Sequence, residues 1–139
     1  MFSISYATIQ DKPYWYSLDH HMPKSEYESK VRDRRCYIIR HNEKNVGILR
    51  YNLFWDVIPF LTLVFFEGAY RKKGLGSKAM AHWENEMRAL GHKMVMTSTQ
   101  ADEEAQFFYR KLGYKDMGCL VMNMPPYEQP LEVFLGKEL

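Results

Sequence analysis

The stretch YRKKGLGSKAM, Tyr70 to Met80, runs three cations into Gly-x-Gly and starts a helical pattern at once. Gly74 and Gly76 permit a tight turn and a close approach to the main chain. The first amides of a helix have no partner inside it and point together, and the helix dipole adds partial positive charge there. A strand, a glycine turn and a helix start therefore make a seat for an anion such as a pyrophosphate. Arg71, Lys72 and Lys73 add formal charge around it. Gly-x-Gly alone is common, and a solvated basic loop is the plain alternative. The turn lacks the Gly-x-x-x-x-Gly-Lys spacing of a Walker loop. It also lacks the third glycine of a dinucleotide fingerprint, with Ala79 in its place.

The pattern on either side predicts the elements. Phe60 to Glu67 is nearly all apolar or β-branched, as in a strand covered on both faces. After the glycines, Leu75, Ala79, Trp83, Met87 and Leu90 recur at helical spacing with Met80 beside them, and Gly91 stops the helix. Lys93 to Thr99 returns to strand character. Asp102 is the expected N-cap of a helix through Leu112, ended by Gly113. Lys115 to Met124 and Leu131 to Leu135 read as strands. Upstream, Ile4 to Ala7 reads as a strand, and Gln10 to His21 is ambiguous with Pro13 in a helical first turn. Pro23 opens KSEYESKVRDRR, where Glu26–Lys30 and Glu28–Arg32 sit at i,i+4. Cys36 to His41 and Val46 to Phe54 form a hairpin across HNEKN. This order predicts an α/β chain with a mixed sheet.

Composition narrows the function. The chain has 139 residues, enough for one domain, with 46% hydrophobic and 15% aromatic side chains. A net charge of +2 is too small to argue for nucleic acid. The longest apolar run, near Ile58 to Phe66, is too short to cross a membrane. Cys36 and Cys119 have no metal-type spacing and read as free thiols. The opening MFSISYATIQDK has no basic region followed by a long apolar run. The expectation is a cytoplasmic protein without metal.

A second stretch changes the weight of the first. FFYRKLGYKDMG, Phe107 to Gly118, puts Tyr109 late in a helix ended by Gly113. Arg71-x-x-Gly74-x-Gly76 together with Ala105-x-x-Phe108-Tyr109-x-x-Leu112-Gly113-Tyr114 resembles the two signatures of the GNAT superfamily of acetyl-CoA-dependent N-acetyltransferases. The spacing between them leaves room for one helix and one strand, as in that family. The resemblance covers about Val46 to Met124 by motif and the flanks by element order.

That resemblance implies one N-acetyltransferase domain over 1–139. Its α/β (α+β) fold would have about seven strands and about four helices, with the fourth and fifth strands splayed. Acetyl-CoA is the implied co-substrate. Lys72, Lys73, Gly74, Leu75, Gly76 and Ser77 would bind its pyrophosphate with help from Arg71. The strand Leu61 to Glu67, through Val64, Phe65 and Phe66, would hold the pantetheine and thioester by main-chain N–H groups. Ala105 and Phe108 belong to the same cofactor signature. Tyr109 matches the general acid that protonates the leaving thiolate. The family often has Asn where this chain has Asp102, so a cofactor contact there is not carried over.

The base is open among Glu67, Asp56, Glu132 and the pair His20/His21, with Glu67 foremost because it ends the cofactor strand. The acceptor side would draw on Trp15 with Tyr14 and Tyr16, on Phe54 and Trp55, and on Tyr127 with Glu128. An aromatic wall with scattered carboxylates suits a small amine with an apolar body, and protein N-termini and other peptide amines, polyamines, aminoglycosides and amino acids all stay open. The implied partners are an amine substrate and a second copy in a homodimer, with no nucleic acid and no membrane. A catalytically silent acyl-CoA-binding or sensing module is the competing reading.

Overall fold

Strand and helix periods separate cleanly along the chain, and the computed structural model describes all 139 residues. Seven strands form: β1 (Phe2–Tyr6), β2 (Cys36–His41), β3 (Lys44–Phe54), β4 (Ile58–Phe66), β5 (Met94–Gln100), β6 (Lys115–Leu120) and β7 (Glu132–Glu138). Four α-helices accompany them: α1 (Lys12–Leu18), α2 (Tyr27–Arg32), α3 (Leu75–Ala89) and α4 (Ala105–Lys111). The strands hydrogen-bond in the order β1-β2-β3-β4-β5-β7-β6. β4 and β5 are parallel, whereas β1/β2, β2/β3, β5/β7 and β6/β7 are antiparallel. This is the mixed α/β architecture expected from the sequence. No helix is long and apolar enough to cross a membrane.

The chain packs as two compact units. One comprises Met1–Asn52 and Thr62–Asn85, the other Leu53–Leu61 and Glu86–Leu139. In the first unit, alternate strand residues serve two layers. Ile38 and Ile48 join Ala7, Trp15, Met22, Tyr27 and Cys36 in a core that Leu63 and Phe65 also pack against. On the other face, Tyr37 stacks on Tyr51 at 6.3 Å, and Tyr51 meets Trp83 of α3 at 5.6 Å. Beneath α1 lies a buried ion pair, Asp19 with Arg50 Nε at 2.9 Å. The Trp15 indole N–H and the amides of His21 and Met22 also donate to the Asp19 carboxylate, at 3.0, 3.0 and 3.2 Å.

Gly47 of β3 permits a close approach. A methyl group there would stand 2.7 Å from Phe66 Cδ1 and 2.9 Å from the Phe65 carbonyl oxygen. A main-chain carbonyl cannot swing aside as a side chain can, so Gly47→Ala must displace the end of β4. The expected loss of stability is about 1–3 kcal/mol by urea denaturation. A variant as stable as the parent would show that the strand end yields freely.

In the second unit, β5 pairs with β7 from Met94↔Glu138 to Gln100↔Glu132. Its parallel register with β4 covers Phe60↔Met96 and Leu61↔Thr97. Leu61, Val95, Met96, Thr97, Tyr109, Tyr114 and Leu135 are buried. α4 ends in a Schellman motif: Gly113 N–H bonds to Arg110 O at 3.0 Å and Tyr114 N–H to Tyr109 O at 3.1 Å.

Several local expectations are corrected. The helix expected from an Asp102 cap begins at Ala105, and Asp102 lies in the turn before it. The last long strand expected over Lys115–Met124 stops at Leu120, ahead of the proline-rich connection. The i,i+4 pairs of α2 are replaced: Lys30 Nζ donates to Tyr51 O at 2.7 Å, and Arg32 pairs with its neighbour Asp33. Burial of the Lys30 ammonium lowers its pKa, so the carbonyl is the partner it needs. Leu90 completes the helical stripe in sequence but is 62% exposed, because α3 has ended at Ala89. Both cysteines are free, Cys36 buried and Cys119 exposed.

Candidate active site

The loop after β4 is built by backbone conformation. A short 3-10 turn, Gly68–Tyr70, leaves the strand. Lys72 then takes φ +58° and Gly74 φ +78°, two left-handed residues that turn successive amides to one side. The first bond of α3 runs from Lys78 N–H to Gly74 O at 3.3 Å. The amides of Leu75, Gly76 and Ser77 therefore precede any helical acceptor. Nothing stands within 4 Å of where a Cβ on Gly74 would lie. Arg71, Lys72 and Lys73 are exposed around this opening. The chemistry of the loop fits a diphosphate: open amides, a helix N-terminus and cations.

Arg71 is the exception to the expected pattern. Its Nε donates to Phe66 O at 3.0 Å, and its guanidinium lies 4.6 Å from the Phe65 ring centroid. The side chain folds back on the end of β4.

The same bond helps to orient the strand. Glu67 N–H donates to Val46 O of β3 at 2.9 Å. N–H groups alternate between the two edges of a strand. Phe65 therefore faces β3, as the closeness of its carbonyl to Gly47 requires. Val64 and Phe66 present their N–H groups to the opposite edge, where Arg71 meets the Phe66 carbonyl. The side chains of Val64, Phe65 and Phe66 are half-buried.

In the second unit, α4 delivers Tyr109 to β5. The phenol is 7% exposed and hydrogen-bonds the Thr97 side chain. Phe108 and Tyr114 hold the ring edge-on at 5.2 and 5.5 Å. Thr97 Oγ1 donates its one proton to Leu61 O at 3.0 Å, so in the resting state it accepts from the Tyr109 hydroxyl. Burial pushes the phenol up to about 12, and the Thr97 hydrogen bond opposes part of that rise. Tyr109 is fully protonated at neutral pH, with a hydroxyl in reach to donate back should it ionise. Ala105 and Phe108 of the cofactor signature are half-buried on the same helix.

Glu67 has a specific partner. The Tyr14 hydroxyl of α1 donates to its Oε2 at 2.7 Å. Burial raises the Tyr14 phenol, and the Glu67 hydrogen bond and charge raise it further. Trp15 is corrected as a substrate contact: it is 0% exposed, and its indole is spent on Asp19. Phe54 is half-buried, Trp55 is 77% exposed beside exposed Asp56, and Tyr127 is 70% exposed. His20 and His21 are exposed. No three His, Cys, Asp or Glu side chains come together as a metal site.

Sequence reasoning missed Thr97, Ser98 and Gln129. Ser98 Oγ donates to Glu132 Oε2 at 2.6 Å, and Gln129 Nε2 donates to Glu132 Oε1 at 2.8 Å. The only sequence signal for Thr97 is its place on a strand before the Tyr109 helix, and that does not say which helix residue it meets.

The first unit thus carries an open, cation-flanked glycine turn after β4, and the second a buried tyrosine on α4. The model of the acetyltransferase (GNAT) family matches residues 4–114, and the chain belongs to that family. Solved structures carry the fold over nearly the whole chain. A ribosomal-protein-alanine N-acetyltransferase from Brucella melitensis is 18% identical, with TM-score 0.81, over 99% of each chain. Naa50 from Arabidopsis thaliana, solved with the bisubstrate analogue CoA-Ac-MVNAL, is 14% identical with TM-score 0.79, over 99% of each chain. A GNAT family acetyltransferase from Elizabethkingia anophelis, solved with acetyl-CoA bound, is 14% identical with TM-score 0.79, over 99% of this chain and 98% of that one. No curated protein sequence matches the chain.

Proposed function

We propose that residues 1–139 act as one N-acetyltransferase domain that moves the acetyl group of acetyl-CoA to a primary amine by direct attack. The observation that carries this reading is the left-handed pair Lys72 and Gly74 at the open start of α3. Its amides from Lys72 to Ser77 would bind the diphosphate, with Lys72 and Lys73 neutralising charge. Arg71 serves from the strand end. The outward amides of Val64 and Phe66 would take the pantetheine and the thioester carbonyl, and a donor there steadies the oxyanion.

In the reaction a neutral amine attacks the thioester carbon. The N–C bond forms and the C–S bond breaks. The amine's one surplus proton leaves through a base to solvent, Tyr109 gives a proton to the thiolate, and solvent returns one to Tyr109, so no proton is released overall. Tyr109 is the donor to the thiolate. An acid with a pKa near 12 is weaker than an ordinary thiol, near 8.5. It serves best while the thiolate shares the dry surroundings that raise both groups. Glu67, held by Tyr14, is the candidate to receive the amine's proton.

Gly74→Val tests the loop. A branched residue at φ +78° is strained, and its methyl groups would fill the open approach. Acetyl-CoA affinity by calorimetry is expected to fall at least tenfold. Unchanged affinity would remove the loop from the site.

A further inference from the structure

One face of the second unit extends the Phe54–Trp55 pair, expected on the acceptor side, into a longer arrangement. Four rings run in sequence across it. Trp55 and Phe54 lie 4.8 Å apart, Phe54 and Phe60 6.2 Å, and Phe60 and Phe134 5.7 Å. Phe54, Phe60 and Phe134 are half-buried, and Trp55 is exposed. Trp55 and Asp56 both hold positive φ, +54° and +64°, in the turn from β3 to β4. Glycine or asparagine would normally take such positions, so this turn presents an indole at a conformational cost.

A fixed carboxylate stands at the end of the row. Glu132 and Phe134 share a face of β7, and Ser98 of β5 lies directly opposite Phe134. Since Ser98 Oγ holds Glu132 Oε2 at 2.6 Å, the carboxylate leans toward the Phe134 ring. Gln129 fixes the other oxygen at 2.8 Å. Both partners are neutral. Each carboxylate oxygen can accept a further hydrogen bond, and the charge has no cation to meet it. A negative group held rigidly beside half-exposed ring faces is complementary to an ammonium on a flat apolar body. The rings take the body and contribute their own attraction for the cation.

We infer that this face, Trp55-Phe54-Phe60-Phe134 with Glu132, is the seat of the acceptor, and that the acceptor is a small arylalkyl primary amine. This rests on the acetyl-transfer reading for its consequence, but not for its test. Trp15 and Trp83 are fully buried, which leaves Trp55 as the exposed one of the chain's three tryptophans and a direct reporter. Phenethylamine titrated into the protein with CoA present should change Trp55 emission saturably, and 2-phenylethanol and butylamine should do so at least tenfold less tightly. Glu132→Gln keeps the size and the Ser98 contact but removes the charge, and should raise the phenethylamine Kd at least tenfold. Trp55→Ala, at an exposed position, should raise it severalfold by calorimetry without loss of fold.

An unchanged Kd in Glu132→Gln overturns the inference. So does acetylation of peptide N-termini or aliphatic diamines in preference to every arylalkylamine. Saturable, Glu132-dependent binding without any acetylation would uphold the seat and count against acetyl transfer. Thiol release with other amines, and no phenethylamine binding, would do the reverse.

Discussion

Tyr109→Phe is expected to slow acetyl transfer a hundredfold or more while leaving the acetyl-CoA Kd within about twofold, as for loss of a positioned general acid. The ring contacts with Phe108 and Tyr114 survive the change, so the helix should stay in place. Only the hydroxyl is lost, and with it, on the proposed mechanism, the proton given to the thiolate. The parent's pH profile gives a second check. An ordinary tyrosine ionises near 10, whereas burial pushes Tyr109 up to about 12. An acid raised in this way stays protonated up to its higher value. The parent should therefore show no alkaline fall in kcat from this group below about pH 11. Stopped-flow thiol release measures both effects, and a loss smaller than threefold would take Tyr109 out of the mechanism.

The largest effect on stability is expected at Arg50. Its removal leaves the fully buried Asp19 carboxylate without its countercharge. Breaking a buried pair from one side costs about 3–5 kcal/mol. Three N–H donors from Trp15, His21 and Met22 remain on Asp19, which places Arg50→Ala at the lower end, near 3 kcal/mol. Burial by itself would raise the Asp19 pKa. The His21 amide, the Arg50 charge, the Met22 amide and the Trp15 indole together outweigh it and hold the group below its usual value. A depressed carboxylate contributes stability that is complete above its unfolded pKa, about 3.9, and is lost as pH falls through the folded value. The parent should accordingly lose stability only on strong acidification. Urea denaturation at neutral pH decides the variant, and a loss under 1 kcal/mol would mean the pair is dispensable.

What the sequence made legible was periodicity and punctuation. The stripe Leu75, Ala79, Met80, Trp83 and Met87 is buried as its spacing requires, and β2 occupies Cys36–His41 as expected. The Gly-x-Gly turn and the FYRKLGY helix stop also carry local signals, because left-handed backbone demands particular residues. Partnerships at long sequence separation had no such signal. Arg50 reads as one more strand cation until β3 brings it to Asp19, and Ser98 reads as a plain strand residue until β7 brings Glu132 beside it. Trp15 failed for the same reason: an aromatic in an ambiguous helix can face a ligand or a core, and only the fold decides. Helix α4 began late because Asp102 entered a turn with Glu103 N–H bonded to Gln100 O, an option that cap propensity alone does not weigh.

The folded-back side chain of Arg71 has a mechanical meaning. Through the Phe66 carbonyl and the Phe65 ring, it bolts the first residue of the glycine turn to the strand whose edge amides face outward. On the proposed reading, the two places that would grip acetyl-CoA are thereby tied to one another. Their separation would then be set by the protein and not by the ligand, and a molecule of the wrong length between its charged tail and its reactive end would engage one and miss the other.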